Sequence, residues 1–139
     1  MRNSWDKIAH LRFGMGSGNY FCNEKKHGIS IFNSMNKTSS FRFCSSDVVL
    51  DIACGTGTYH CHISNIVDKL IGIDSSKEAI KASRITHKYK NNFYYEIDVL
   101  DQTSLSLVLE KYKPNKVIIN SLIHYLDDSQ ILRIIKQIT

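Results

Sequence analysis

The stretch Val48-Val49-Leu50-Asp51-Ile52-Ala53-Cys54-Gly55-Thr56-Gly57-Thr58 decides the fold. Its first five residues are β-branched or aliphatic apart from one acid, the composition of a buried strand. Two glycines at alternate positions then let the backbone turn tightly and give a ligand access without obstruction by Cβ atoms. Working outward, three more runs have strand length and the same character: Leu70-Ile71-Gly72-Ile73, Phe93-Tyr94-Tyr95-Glu96-Ile97 and Val117-Ile118-Ile119. A helix-like stretch follows each strand, so the order from Asp47 onward reads β-α-β-α-β-α-β-α. Such alternation gives a parallel sheet with helices on both faces. The expected fold class is α/β, a doubly wound and mostly parallel sheet.

The helices carry their own signals. Ser75-Ser76-Lys77-Glu78 has the spacing of a capping box, with Ser75 as the cap and Glu78 reaching back to its amide. In the helix that follows, Lys77, Lys81, Arg84 and Lys88 fall on one face, and Ala79, Ala82, Ser83 and Thr86 on the opposite one. The basic face reads as solvated. The next helix is expected over Leu105 to Tyr112, ending before Pro114. The last starts at Asp127 or Asp128 and buries Ile131, Ile134, Ile135 and Ile138. Residues 1–46 are polar and irregular, with Gly14-Met15-Gly16-Ser17-Gly18 as a flexible loop and the run Ser34 to Ser40. They are expected to form an N-terminal helical and loop segment that caps a domain at 47–139.

A length of 139 residues fits one domain, and 42% hydrophobic against 22% charged residues is enough apolar material to exclude wholesale disorder. The net charge of +5 is too small to establish nucleic-acid binding. No apolar run nears the roughly 18 residues needed to span a bilayer, and Met1 to Lys7 lacks the apolar stretch of a signal peptide. The expected location is the reducing cytoplasm, with the four cysteines as thiols.

In a doubly wound sheet the first strand-to-helix turn lies where ligands bind. Several nucleotide cofactors suit a loop of this length, and two details choose among them. The third glycine of a dinucleotide fingerprint would fall at position 60, where His60 places a bulky ring against pyrophosphate approach. Asp51, four residues before Gly55, repels a diphosphate but suits a cation. There is no G-x-x-x-x-G-K-[ST] phosphate loop either. Asp74 then ends the second strand, seventeen residues beyond Gly57, where a carboxylate accepts hydrogen bonds from both hydroxyls of a ribose. The third strand ends in another acid, Asp98, followed by Val99.

The segment from Asp51 to Thr58 resembles motif I of the class I S-adenosylmethionine-dependent methyltransferases: Asp51, Gly55 and Gly57 match, and Ala53 replaces the first glycine. The resemblance implies a methyltransferase using S-adenosylmethionine, a ligand with cationic sulfonium and ammonium groups and no phosphate. It implies cofactor contacts from Asp51, Ala53, Gly55 and Gly57, from Asp74 with Ser75 at the ribose, and from Asp98 at the adenine amino group. The backbone at Val99 meets the ring. Asn120-Ser121-Leu122-Ile123-His124-Tyr125-Leu126-Asp127-Asp128 resembles the family's segment after strand four, which flanks the methionine moiety and faces the acceptor. Asn120 is therefore assigned to the cofactor, and His124 is the candidate general base. The N/D-P-P-Y signature of enzymes that methylate base amino groups is absent, as is a Pro-Cys pair, so the expected acceptor is a small molecule and not a nucleic acid.

Cys54, His60, Cys61 and His62 are metal-ligand types, but three are consecutive, point about 100° apart on a helix, and match no C-x₂-C spacing; no metal is expected. In relatives an N-terminal segment folds over the cofactor, a task for which Trp5, Arg12 and Tyr20 are the candidates. Relatives also build seven strands ordered 3-2-1-4-5-7-6. This chain supplies the first four, giving the order 3-2-1-4 with strand 4 as an apolar edge. It is expected to be a C-terminally short methyltransferase, or one whose sheet a second copy or a partner chain completes. A non-catalytic S-adenosylmethionine-binding module is the alternative, and a nicotinamide oxidoreductase a more distant one.

Overall fold

The four apolar runs form strands β1 (Val48–Ile52), β2 (Lys69–Asp74), β3 (Asn92–Glu96) and β4 (Lys116–Ile119). All pairings are parallel, and the sheet order is β3-β2-β1-β4, as the alternation and the resemblance lead one to expect. The computed structural model describes residues 18–37, 41–120 and 122–139, and of residues 18–26 only the course of the backbone. Trp5, Arg12, the side chain of Tyr20 and the glycines at 14 and 16 lie outside the described residues.

Helices α1 (Gly18–Asn36), α2 (His60–Ser64), α3 (Lys77–Thr86), α4 (Gln102–Tyr112) and α5 (Asp128–Ile138) surround the sheet, with a 3₁₀ turn at Leu122–Tyr125 between β4 and α5. Side chains of a strand alternate between faces, and β1 divides accordingly. Leu50 and Ile52 pack with Ile71, Ile73, Leu105, Val108 and Ile134 beneath α4 and α5. Val49 packs on the opposite face with Leu70, Ile118, Ile63 and Phe43, covered by Ile31, Phe32 and Met35 of α1. The sheet is thus buried on both sides, which explains why its strands read as nearly continuous apolar runs.

Several local expectations change. The polar run expected to be irregular is helical as far as Asn36, whose Oδ1 accepts a bond from the Phe43 amide at 3.1 Å. The cap of α3 is Ser76, not Ser75: Ser76 has the extended backbone of a cap, and its Oγ accepts from the Ala79 amide at 3.2 Å. Ile80 joins Ala79, Ala82 and Ser83 in the buried stripe, whereas Thr86 is exposed. Helix α4 begins three residues earlier than expected because Asp101 caps it, accepting from the Thr103 and Ser104 amides. It ends at Lys113 in a left-handed conformation (φ 49°), just before Pro114. Asp127 caps α5 within a complete capping box. Of the four isoleucines expected inside, Ile134 is buried, Ile131 and Ile138 are half-buried, and Ile135 is exposed, because α5 meets the core along one narrow stripe.

The start of the sheet is pinned by a buried acid. Asp47 accepts from Lys116 Nζ (2.7 Å), Asn115 Nδ2 (2.9 Å) and the Cys44 amide (2.7 Å). Burial pushes its carboxyl up, but Lys116 and the amide donors outweigh burial and hold its pKa at about 2. This cluster ties β1 to β4, strands separated by three crossovers in the chain.

Candidate functional site

A cavity of about 230 Å³ opens at the C-terminal ends of the strands, where ligands of doubly wound sheets are held. It is just under the usual range of about 300–1,000 Å³ for small-molecule sites. The turn after β1 forms its floor. Ala53, Gly55 and Gly57 all have positive φ (58°, 56° and 70°), so the chain reverses within five residues. The Cys54 amide donates to the Ile73 carbonyl at 3.0 Å, which ties the turn to the end of β2.

Asp74 organises the rim. As the last residue of β2, it is half-buried, and its two carboxylate oxygens accept from the Gly55 amide (2.9 Å) and the Ser76 amide (2.8 Å). These two bonds fix the carboxylate at the wall of the cavity it lines. Asp98, beyond β3, is exposed and shares the wall with Val99; its Oδ1 accepts from the Leu100 amide at 3.0 Å, an Asx turn. Ser75 and Asn120 also line the cavity.

Asp51 has a different place. It sits one residue inside the end of β1, level with Gly72 of β2, which is in turn level with Tyr94 of β3. Gly72 leaves room in this row: a Cβ there would come within 2.7 Å of the Tyr94 ring and 2.9 Å of Cys54 Sγ. The Tyr94 ring and Cys54 occupy that room, and the His60 ring stands between Asp51 and Tyr94. Its Nε2 lies 2.7 Å from Asp51 Oδ2 and its Nδ1 lies 2.8 Å from the Tyr94 hydroxyl. Tyr59 donates to the same Asp51 oxygen at 2.8 Å, and Asn92 Nδ2 donates to the Tyr94 hydroxyl at 3.2 Å. Asp51 and His60 are fully buried.

Burial sets the acid-base character of this root. It pushes the Tyr59 and Tyr94 hydroxyls well above their usual range; the Asp51 carboxylate adds to the effect, strongly at Tyr59 and weakly at Tyr94. Burial, then the charges of Asp51 and Asp74, push the Cys54 thiol up, so this cysteine is a filler and not a nucleophile. His87 is held down at about 4 by burial and by His60, against the opposing bond from its Nε2 to the Thr56 carbonyl at 3.1 Å.

The structure therefore brings Ala53, Gly55, Asp74, Ser75, Asp98, Val99 and Asn120 to one cavity. Three expected residues do not line it. Asp51 is turned under the floor by its bonds to Tyr59 and His60, so two strand-end acids, not three, face the cavity. Gly57 lies inside the turn, and its conformation rather than its surface matters. His124 is exposed on the 3₁₀ turn, away from the wall, because that short helix and the residue after it present Leu122, Tyr125 and Leu126 instead. Both ring nitrogens of His60 are engaged, and among the described residues no three His, Cys, Asp or Glu side chains are grouped to hold a metal ion. Nor is any described helix long and apolar enough to cross a membrane.

Sequence reasoning expected an N-terminal segment over the domain but named none of the residues by which α1 lines the cavity. Its Gly28 is buried, and a Cβ there would lie 2.2 Å from the Thr58 carbonyl oxygen, so the helix touches the turn at closest approach. His27 and Ile31 beside it line the cavity. A glycine in the interior of an otherwise helical stretch was the available signal.

Residues 49–139, more than half of the chain, match the methyltransferase domain family, and the chain belongs to that family. No curated protein matches it by sequence. Among solved structures, it is similar to an S-adenosylmethionine-dependent methyltransferase from Anabaena variabilis, with a TM-score of 0.72 and 15% identity over 99% of this chain and 54% of the other. It is also similar to phosphoethanolamine N-methyltransferase 1 of Haemonchus contortus, solved with phosphoethanolamine and S-adenosylhomocysteine (TM-score 0.65, 14% identity, 96% of this chain and 28% of the other). The chain spans about half or less of the length of these two relatives, and at such identity the likeness speaks for the fold.

Proposed function

We propose that the chain binds S-adenosylmethionine in the cavity at the strand ends and directs its methyl group to a small-molecule acceptor by direct displacement. The observation that carries this reading is the Asp74 carboxylate, clamped by the Gly55 and Ser76 amides at 2.9 and 2.8 Å and lining the cavity beside Asp98. A clamped carboxylate is preorganised to accept from the two hydroxyls of a ribose. Asp98 and the Val99 backbone stand next to it for the adenine ring, and Ala53, Gly55 and Asn120 lie toward β1 and β4 for the amino-acid half. A Cβ on Gly55 would meet nothing within 4 Å, so open space stands where the cofactor must pass the turn.

The cofactor supplies a methyl group already activated on a sulfonium. The chain's task is alignment, and holding an acceptor in line contributes up to about 7–11 kcal/mol of barrier lowering. The half-buried apolar residues Ile31, Leu122 and Leu126 shape the other side of the cavity for a compact acceptor. A relative that binds phosphoethanolamine supports an acceptor of that size. Calorimetry on the purified chain tests the reading: S-adenosylhomocysteine and S-adenosylmethionine should bind and NAD should not. Heat from NAD alone would overturn it.

A further inference from the structure

We propose that His27, carried on α1, accepts the proton of the methyl acceptor, which makes that acceptor one that sheds a proton on methylation, an alcohol or an amine. The inference rests on the cofactor reading above and names its substrate class. Three observations converge on His27. First, its position is fixed: Gly28 seats α1 against the Thr58 carbonyl, and His27 and Ile31, four residues apart on one helix face, both line the cavity.

Second, α1 covers β2, β1 and β4: Ile31, Phe32 and Met35 pack against the cluster containing Leu70, Val49 and Ile118, and among the described residues no β3 side chain joins it. Asp98, suited to the adenine, lies beyond β3 at the edge of the sheet. His27 therefore stands away from the adenine end of the cavity, on the side left for the acceptor.

Third, the other titratable groups of the wall are committed elsewhere. From the β1 turn, the Cys54 thiol is pushed up by burial, and the Tyr59 hydroxyl, pushed up likewise, donates to Asp51. From β2 and β3, Asp74 holds two backbone amides and Asp98 holds the Leu100 amide. From the 3₁₀ turn comes the phenol of Tyr125. Imidazole is the side chain that exchanges a proton near neutral pH, and among the described residues His27 is the imidazole on this wall.

The step balances as follows. The acceptor's oxygen or nitrogen forms a bond to the methyl carbon while the carbon–sulfur bond breaks, and its electron pair stays on sulfur as a neutral thioether. The acceptor's proton passes to the His27 ring and from there, the side chain being exposed, to water.

The test needs no acceptor. The histidines of the full chain are followed by NMR through a pH titration, loaded in turn with S-adenosylmethionine and S-adenosylhomocysteine, with His27→Gln used to assign the signal. The two ligands differ by the sulfonium charge. A positive charge within about 8 Å should lower the titration midpoint of His27 by about half a pH unit or more. His124, off the wall, should titrate alike with both. Equal midpoints for His27 with both ligands bound would overturn this assignment and leave the cofactor reading standing. Failure of either ligand to bind would overturn both.

Discussion

At the rim of the cavity Asp74 is half-buried, held by two backbone amides, and open toward the space where a ligand fits. At its root Asp51 is fully buried and held by side chains, Tyr59 and His60, that come from the turn above it. Both are aspartates at the end of a parallel strand preceded by apolar residues. Position along the strand separates them. Asp74 is the last residue of β2, at the sheet's end beside the cavity; Asp51 is one residue earlier in β1, where alternation aims it at a packed face. One acid is thereby available to a ligand, and the other supports the floor that the ligand rests on.

That division can be broken from the root first. His60→Ala removes the ring that bridges Asp51 and Tyr94 and leaves a void below the turn, so unfolding in urea should show a loss of about 3–5 kcal/mol. A loss under 1 kcal/mol would mean that the root contributes no support. Tyr94→Phe, which deletes only the hydroxyl, should cost about 1–3 kcal/mol.

Acid should probe the buried groups that support the fold, at the root and at the start of the sheet. His87, with its pKa lowered to about 4, stays neutral while the unfolded chain takes up a proton below about 6.5. The unfolded state then binds more protons, so stability should fall between pH 6.5 and 4, by about 3 kcal/mol. Asp47, lowered to about 2, contributes stability that is present above its unfolded value of 3.8 and lost as pH drops toward 2, about 2 kcal/mol more. His87→Gln should flatten the upper limb and Asp47→Asn the lower one. Thermal melts across pH 2–7 that show a single unchanged profile in both variants would refute these assignments.

The rim should behave in the opposite sense. Asp74→Ala removes two charged acceptor contacts worth roughly 1.5–3 kcal/mol each, so S-adenosylhomocysteine affinity should drop tenfold or more by calorimetry, with a smaller change in urea midpoint than His60→Ala gives. A variant that binds normally would place the ribose elsewhere. The smallest effect is expected at Ala53, held at φ 58° where a Cβ costs about 1–2 kcal/mol. Ala53→Gly relieves that strain but loosens the unfolded chain, for a net gain of about 0.5 kcal/mol. A measurable loss in denaturation would show that the methyl group of Ala53 packs more than it strains.

How much of this was legible beforehand follows from the same distinction. Strand identities, their parallel direction, the glycine turn and the acids Asp74 and Asp98 at strand ends are set by short-range pattern: apolar runs of fixed length ending in an acid; the order 3-2-1-4 and the site roles of Ser75, Asp98 and Asn120 came from the family resemblance. The cap of α3 shifted by one residue because the local turn in which Asp74 accepts from the Ser76 amide places Ser76, the second of two adjacent serines, where its Oγ meets the Ala79 amide. The exposure of Ile135 and the burial of Ile80 depend on which stripe of each helix meets the sheet, and periodicity leaves that uncertain by one position.

The sequence by itself determined that this chain builds a doubly wound sheet with a glycine turn and acids at its strand ends, since those features follow from residues adjacent in the chain. Only the tertiary structure decided that Asp51 faces inward to His60, that Gly28 brings His27 to the cavity, and that His124 stays outside it. These outcomes depend on contacts between residues 8 to 34 positions apart and on how closely a helix can approach a turn. Such distances are fixed when the layers pack and are carried by no local run of residues.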